Sequence, residues 1–192
     1  MVKPPSPKQA VILRALTNML ENPDAGRITT AALAKHLDQS EAALYRHYPG
    51  KAAMFESLIA QTRAQIIEDL AHIAATERHA QARLRKQVHA LLLFVERHRA
   101  TARVLTGGAL AGEAPALLEQ VNALLSEVQS MLADSAQLAL PQPQNKNDRA
   151  KAHAQAGVLM DWVRGCWLHY ALSGWQARPT ADLSGRLVLL GL

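Results

Sequence analysis

The sequence predicts an all-α protein. A three-helix head built on a helix–turn–helix should occupy residues 1–51, and a helical body residues 52–192. Three observations predict it. Hydrophobic residues make up 49% of the 192 residues but aromatic residues only 4%, so the core must be mainly Leu, Ala and Val, which suits helix packed on helix. Apolar residues recur at spacings of three and four along most of the chain, without the alternation of a strand and without an internal repeat. The stretch RITTAALAKHLDQSEAALYRHYPGK, residues 27–51, reads as two short helices joined by a tight turn and followed by a sharp exit.

Residues 1–5 read as a loose basic leader. Ser6-Pro7 supplies an N-cap and a first-turn proline whose missing amide costs nothing, and Ile12, Leu16 and Met19 or Leu20 form the stripe of a first helix that Asn22-Pro23 stops. After the loop Asp24-Ala25-Gly26, Thr29 and Thr30 start a helix because a hydroxyl there can accept from free first-turn amides. Ala31, Ala32, Leu33, Ala34 and Leu37 give that helix a small apolar face, which Asp38-Gln39 interrupts. Ser40 is a second N-cap and Glu41 suits the positive helix end. Leu44 points inward, Ala42, Ala43, Arg46 and His47 cover the outer surface over two turns, and Pro49 ends the helix through its effect on Tyr48. A helix that presents small residues, an arginine, tyrosines and a histidine suits the DNA major groove.

The body then follows. An amphipathic helix runs from about residue 52 to 75, with Phe55, Leu58 or Ile59, Thr62, Ile66, Leu70 and Ile73 inward. Another covers roughly 80–98 through Leu84, Val88, Leu91, Leu92 and Val95, and its LLLFV centre is apolar on most sides, fitting either core or a partner. A short helix over 100–105 ends at Gly107-Gly108. Leu117, Val121, Leu124, Val128 and Met131 mark a packing seam over 114–138, and LPQPQNKND at 140–148 is a linker. Ala152, Ala156, Leu159, Val163, Trp167 and Tyr170 mark one face of a long helix over 148–173, and a final apolar helix spans 182–190.

Charge supports a polyanionic partner. Of the net +5, residues 1–51 carry seven basic against four acidic residues, so most of the excess falls on the segment that reads as DNA-binding. Other chemistries find little support. None of the eight histidines belongs to a motif with metal-ligand spacing, the glycine-rich run 106–112 lacks the lysine and hydroxyl residue of a phosphate loop, and no nucleophile elbow occurs. No metal, cofactor or catalytic residue is therefore expected. Cys166, the one cysteine, excludes an intrachain disulfide and reads as a buried small hydrophobe. The first residues lack the apolar core of a signal peptide and no apolar run reaches membrane length, so a cytoplasmic protein is expected, and DNA binding would make it nucleoid-associated.

Tyr45, His47, Tyr48 and Lys51, following the recognition helix, resemble the most specific local pattern of the TetR family of bacterial regulators. The likeness extends to the nucleoid occlusion branch of that family through RITTAALA at 27–34, SEAALYRHYPGK at 40–51 with MFESLI at 54–59, and RVLTGGAL at 103–110. With helix geometry, the resemblance implies a TetR-like fold in which Glu41, Ala42, Ala43 and Arg46 face base edges. Thr30, Tyr45, His47, Tyr48 and Lys51 would hold phosphates, Arg27 and Lys35 would sit near the backbone, and Thr29 and Ser40 would cap the two helices beside it. Tyr45 and Tyr48 also fit a core role. The family pattern further implies a homodimer reading palindromic double-stranded DNA, with Leu159, Trp162, Val163, Cys166, Trp167, Tyr170, Leu187 and Leu190 as seam candidates that equally suit intramolecular core.

The branch implies a second partner, a tubulin-like cell-division protein whose extended acidic and apolar tail would lie in a groove formed by Leu93, Phe94, Arg97 and Arg63. Beyond Ile59 the sequence departs from the branch, with Gln61 and Asp69 where an apolar and a basic residue are expected. Two alternatives stay open: a repressor released from DNA by a small-molecule effector, and a helical scaffold that no longer reads DNA.

Overall fold

A computed structural model describes residues 5–24, 26–141 and 145–192. Most of the leader, Ala25 and the centre of the 140–148 linker lie outside the described residues. Those described form nine α-helices and one 3-10 turn, with no strand among them.

The head consists of α1 (Pro7–Glu21), α2 (Thr30–His36), α3 (Glu41–Tyr45) and the start of α4 (Lys51–Thr76). Local chemistry sets each boundary. Ser6 and Gln9 form a reciprocal capping box ahead of α1, whose Pro7 occupies the first turn. The Thr29 and Ser40 hydroxyls accept from the amides of Ala32 and Ala43. Asp38 carries the left-handed position of the turn between α2 and α3 at φ 52°, a conformation that aspartate tolerates better than most residues. Ile12, Leu16, Leu20, Leu33, Leu44 and Phe55 close the small core between these helices.

One helical element proves shorter than expected. The recognition helix ends at Tyr45, because the amides of His47 and Tyr48 both return to the carbonyl of Leu44 and tighten the last turn before Pro49. Arg46 still keeps a right-handed helical backbone, so the side chains of residues 41, 42, 45 and 46 remain on about one and a half turns.

The body packs α5 (Ala80–Arg97), α6 (Arg99–Leu105), α7 (Pro115–Leu138), α8 (Lys146–Leu172) and α9 (Leu183–Leu189) around α4. At about 1.5 Å per residue, α4 spans about 39 Å and serves both head and body. Glu77 closes the turn into α5: its carboxylate accepts from Lys86 at 2.6 Å and from the His79 amide at 2.9 Å. Those bonds hold its pKa down at about 2. The expected core faces of α5 and α8 are buried throughout. On α7, Met131 is only half-buried, whereas Leu132 and Ala136 are fully covered. The 4-3-4-3 reading drifts off the true face because a straight helix turns every 3.6 residues rather than every 3.5.

Among the described residues, α4 runs unbroken from head into body, α1 packs on α6, and three polar anchors add to this. The Trp175 indole donates to the carbonyl of Glu21 at 2.7 Å. Arg103 donates to the carbonyls of Leu20 and Asn22, so together they satisfy open carbonyls at the end of α1. The third joins Arg27 and Lys51 to the turn at Gly112-Glu113.

Inside the body, Glu96 of α5 gathers the segment after α8. Its carboxylate accepts the amide and hydroxyl of Thr180 at 2.7 and 2.6 Å and pairs with Arg178 at 2.9 Å. Burial pushes this carboxyl up, but the Thr180 and Arg178 bonds outweigh it and leave the pKa below the ordinary 4.5. The folded state therefore releases this proton more readily than the unfolded chain, so the stabilisation is fully present above about pH 4.5 and is lost as pH falls through the folded value. Wild-type unfolding free energy should fall more steeply below about pH 4.5 than that of Glu96→Gln, as measured by urea titration at stepped pH.

Candidate nucleic-acid interface

The helix–turn–helix presents a surface built from two short helices. On α2 the exposed residues are Ala31, Ala32, Lys35 and His36, and Thr29 is exposed at its cap. Around α3 they are Ser40, Glu41, Ala42, Tyr45 and Arg46, while Ala43 is half-buried. Leu33, Ala34 and Leu44 fill the opposite face, and this burial keeps the two helices in register. The side chains of Lys35 and Arg46 make no hydrogen bond or ion pair among the described residues, which leaves both cations available to an external anion.

A hydrogen-bonded chain crosses the surface. Thr30 donates to Glu41 Oε2 at 2.6 Å, and the Tyr45 hydroxyl reaches Thr30 Oγ1 at 3.4 Å. The Glu41 carboxylate is thereby steered towards α2, with lone pairs left to accept from another donor. Tyr45 is 47% exposed and takes no core role. Its surface position suits a phosphate contact.

Tyr48 and Lys51 depart from the phosphate-holding expectation, and Arg27 is tied in a way that its position did not foretell. Tyr48 is 3% exposed, and its hydroxyl meets no partner among the described residues, so the ring is a core aromatic. Lys51 donates to the Ile28 carbonyl at 2.7 Å and pairs with Glu113 at 2.5 Å, with its side chain only 15% exposed. Proline at 49 and the start of α4 at Lys51 turn that stem towards the body. Arg27 donates to the carbonyl of Gly112 at 2.8 Å and lies 3.3 Å from Glu113, although its side chain stays 63% exposed. His47 is half-buried, and its carbonyl accepts from Gln9 of α1 at 3.0 Å. Glu113 stands 86 positions from Arg27 in the chain, and no local pattern marks it as part of the head.

The partner-binding candidates divide. A groove of about 420 Å³ lies between α4 and α5, with Leu93, Phe94, Arg97 and His98 on one wall and Gln65, Glu68 and Asp69 on the other. Arg63 does not line it: its guanidinium forms two 2.8 Å bonds with Glu127 of α7. The helical wheel alone could not tell the α7 side of α4 from the α5 side. The groove is basic on one wall and acidic on the other, where a positive rim was expected.

Most of the seam candidates lie inside the protomer. Leu159, Val163, Cys166, Trp167, Tyr170 and Leu187 are buried there, and the Trp167 indole donates to the Leu91 carbonyl at 3.1 Å. Trp162 is half-buried beneath the Arg186 guanidinium, 4.8 Å from the ring centre, and Leu190 is half-buried. Arg186 also donates to the Cys166 sulfur, and burial pushes that thiol pKa up. The outward apolar side chains are instead Val158, Leu168 and Leu172 of α8 with Val188 and Leu189 of α9. Because α8 is apolar on two sides, its sequence gives two candidate stripes, and the regular one packs inward.

The comparisons with known proteins fit this arrangement. Residues 12–58 match the model for bacterial regulatory proteins of the tetR family. The chain is 34% identical to the nucleoid occlusion factor SlmA of Vibrio campbellii over 93% of this chain and 91% of that protein. It is 35% identical to the Vibrio cholerae SlmA over the same shares. Among solved structures, the fatty acid degradation regulator FadR from Bacillus halodurans superimposes with a TM-score of 0.74 at 15% identity, covering 98% of this chain and 96% of that one. FadR from Bacillus subtilis, solved with stearoyl-CoA, gives 0.73 at 14% identity, covering 96% and 97%. The shared helix order and the near full-length sequence match together place this chain in the TetR family of bacterial regulatory proteins, within its nucleoid occlusion factor branch.

Proposed function

We propose that the protein is a sequence-specific DNA-binding homodimer that inhibits division-ring assembly when bound to chromosomal sites. The observation that carries this reading is the reach of the likeness to nucleoid occlusion factors: it runs through the body as well as the head, over 93% of the chain. The exposed surface of α2 and α3 supports the DNA half of the reading. Arg46, Glu41 and Ala42 would meet base edges, and Lys35, Thr30 and Tyr45 would meet the backbone.

The outward stripe of α8 and α9 supports dimerisation. Val158, Leu168, Leu172, Val188 and Leu189 are each 45% exposed or more, and positions 158, 168 and 172 share one side of α8. A second copy of the same stripe covers them by two-fold symmetry and sets two recognition helices side by side. The division protein would use the groove between α4 and α5, where Leu93 and Phe94 supply the apolar part of the α5 wall and Arg97 receives an acidic residue. Glu68 and Asp69 on the facing wall favour a segment that also carries a basic residue.

The rival reading is a ligand-released repressor: an open cleft of about 730 Å³ between the start of α5 and the end of α7 falls within the about 300–1,000 Å³ that ligand pockets usually occupy. Genome-wide mapping of binding sites separates the two. Many sites scattered along the chromosome and depleted around the replication terminus are expected; one or two sites beside a neighbouring gene would favour the repressor.

A further inference from the structure

We propose that Glu113, a body residue outside the matched DNA-binding segment, is a positioning residue for DNA recognition: by holding Arg27 and Lys51 it fixes the seat of each head and so the half-site spacing the dimer accepts. The inference rests on the DNA-binding dimer proposed above. Glu113 lies in the turn between the 3-10 turn Gly108–Leu110 and α7, with its side chain 7% exposed. One carboxylate oxygen serves both cations, Lys51 at 2.5 Å and Arg27 at 3.3 Å.

Each partner belongs to a segment that bears on DNA. Arg27 begins the strand of chain leading to the Thr29 cap of α2, and Lys51 is the first residue of α4. Lys51 also donates to the carbonyl of Ile28, so the carboxylate grips both sides of the helix–turn–helix through one ammonium. The turn is shaped for this contact. Gly112 sits at φ +74°, a conformation that residues other than glycine rarely adopt, and its carbonyl accepts from Arg27 Nη2 at 2.8 Å.

The bonds from Trp175 and Arg103 reach carbonyls at the end of α1, while α4 runs unbroken from the head into the body. The grip on Arg27 and Lys51 adds a fixed point at the start of α2 and α4, which resists rotation of the head about those other attachments. Register on DNA is sensitive to such rotation, since base pairs are spaced about 3.4 Å along the axis. The side chain that stops it needs to be charged and largely buried, because an exposed pair contributes little.

The test uses the full-length protein and a duplex palindrome selected from random sequence, with versions whose half-sites are moved one base pair closer or further apart. Wild type is expected to prefer the selected spacing at least about tenfold, one mismatch of register costing on the order of 1.4 kcal/mol or more. Glu113→Ala should lower that preference to less than about threefold while affinity for a single half-site stays within about twofold. Glu113→Gln keeps an acceptor oxygen but removes the charge, so it should lose part of the preference; it carries the test if the alanine variant does not fold. An unchanged spacing preference in Glu113→Gln overturns the proposal. So does an equal loss at every spacing with a lowered melting temperature, which marks a merely structural residue. A uniform gain in affinity with a salt slope steeper by about one phosphate contact also overturns it, because Glu113 would then only withhold cations from DNA. If wild type selects no palindrome, the DNA-binding reading itself fails and this inference falls with it.

Discussion

Replacing Arg46 with alanine is expected to lower affinity for the selected DNA by about 5- to 150-fold, the effect of about 1–3 kcal/mol from a lost bidentate contact to guanine. Specificity should relax at one position in each half-site, whereas affinity for random duplex should change far less. Arg46 is exposed at the end of α3, and its side chain makes no hydrogen bond or ion pair among the described residues. Its removal therefore leaves the core intact, and the melting temperature should stay within experimental scatter. Competition titrations with single-base variants check the prediction. Unchanged affinity across all of them would favour a scaffold that does not read DNA.

The second large effect concerns the outward stripe. Leu172 and Leu189 are 78% and 88% exposed in the protomer, so a glutamate at either position costs the isolated chain little. In a symmetric dimer each substitution would bury two carboxylates without partners. Leu172→Glu combined with Leu189→Glu should give a monomer in sedimentation equilibrium with an unchanged helical circular dichroism spectrum. Palindrome affinity should then fall by about 10²–10⁴-fold, since the second head no longer gains from being tethered to the first. By contrast, Val163→Glu places a charge at a fully buried position and should unfold the chain rather than dissociate it.

Much of the helical order was legible because local chemistry set it. Ser6, Thr29 and Ser40 each announce a helix start by type, and each cap bond forms as the residue type implies. Asn145 announces one too, yet the long helix was expected to begin at residue 148. Its reciprocal box with Asp148 moves the start of α8 to Lys146. Side-chain destinations were harder to read. Tyr45 and Tyr48 are one turn apart in sequence, but the tightened turn after Leu44 buries one and exposes the other.

Lys51 looks like a phosphate ligand by position, and only the fold brings Glu113 close enough to take it. Glu113 itself carries no signal, because a single carboxylate after a glycine turn suits any solvated loop. Two apolar sides on α8 gave two stripes, and periodicity alone does not say which one another copy covers. The groove between α4 and α5 was legible in Leu93, Phe94 and Arg97, but the assignment of Arg63 to it depended on a helix rotation that α7 decides.

The claim on which the rest depends is that α3 enters the major groove twice per particle. Methylation protection on the selected palindrome tests it most directly, because dimethyl sulfate attacks guanine N7 in the major groove, where Arg46 would bond. Two patches of N7 protection about 34 Å apart, one on each half-site and both lost in Arg46→Ala, are the predicted result. Tight binding by the wild-type protein with no N7 protection, or with a single patch, would contradict it.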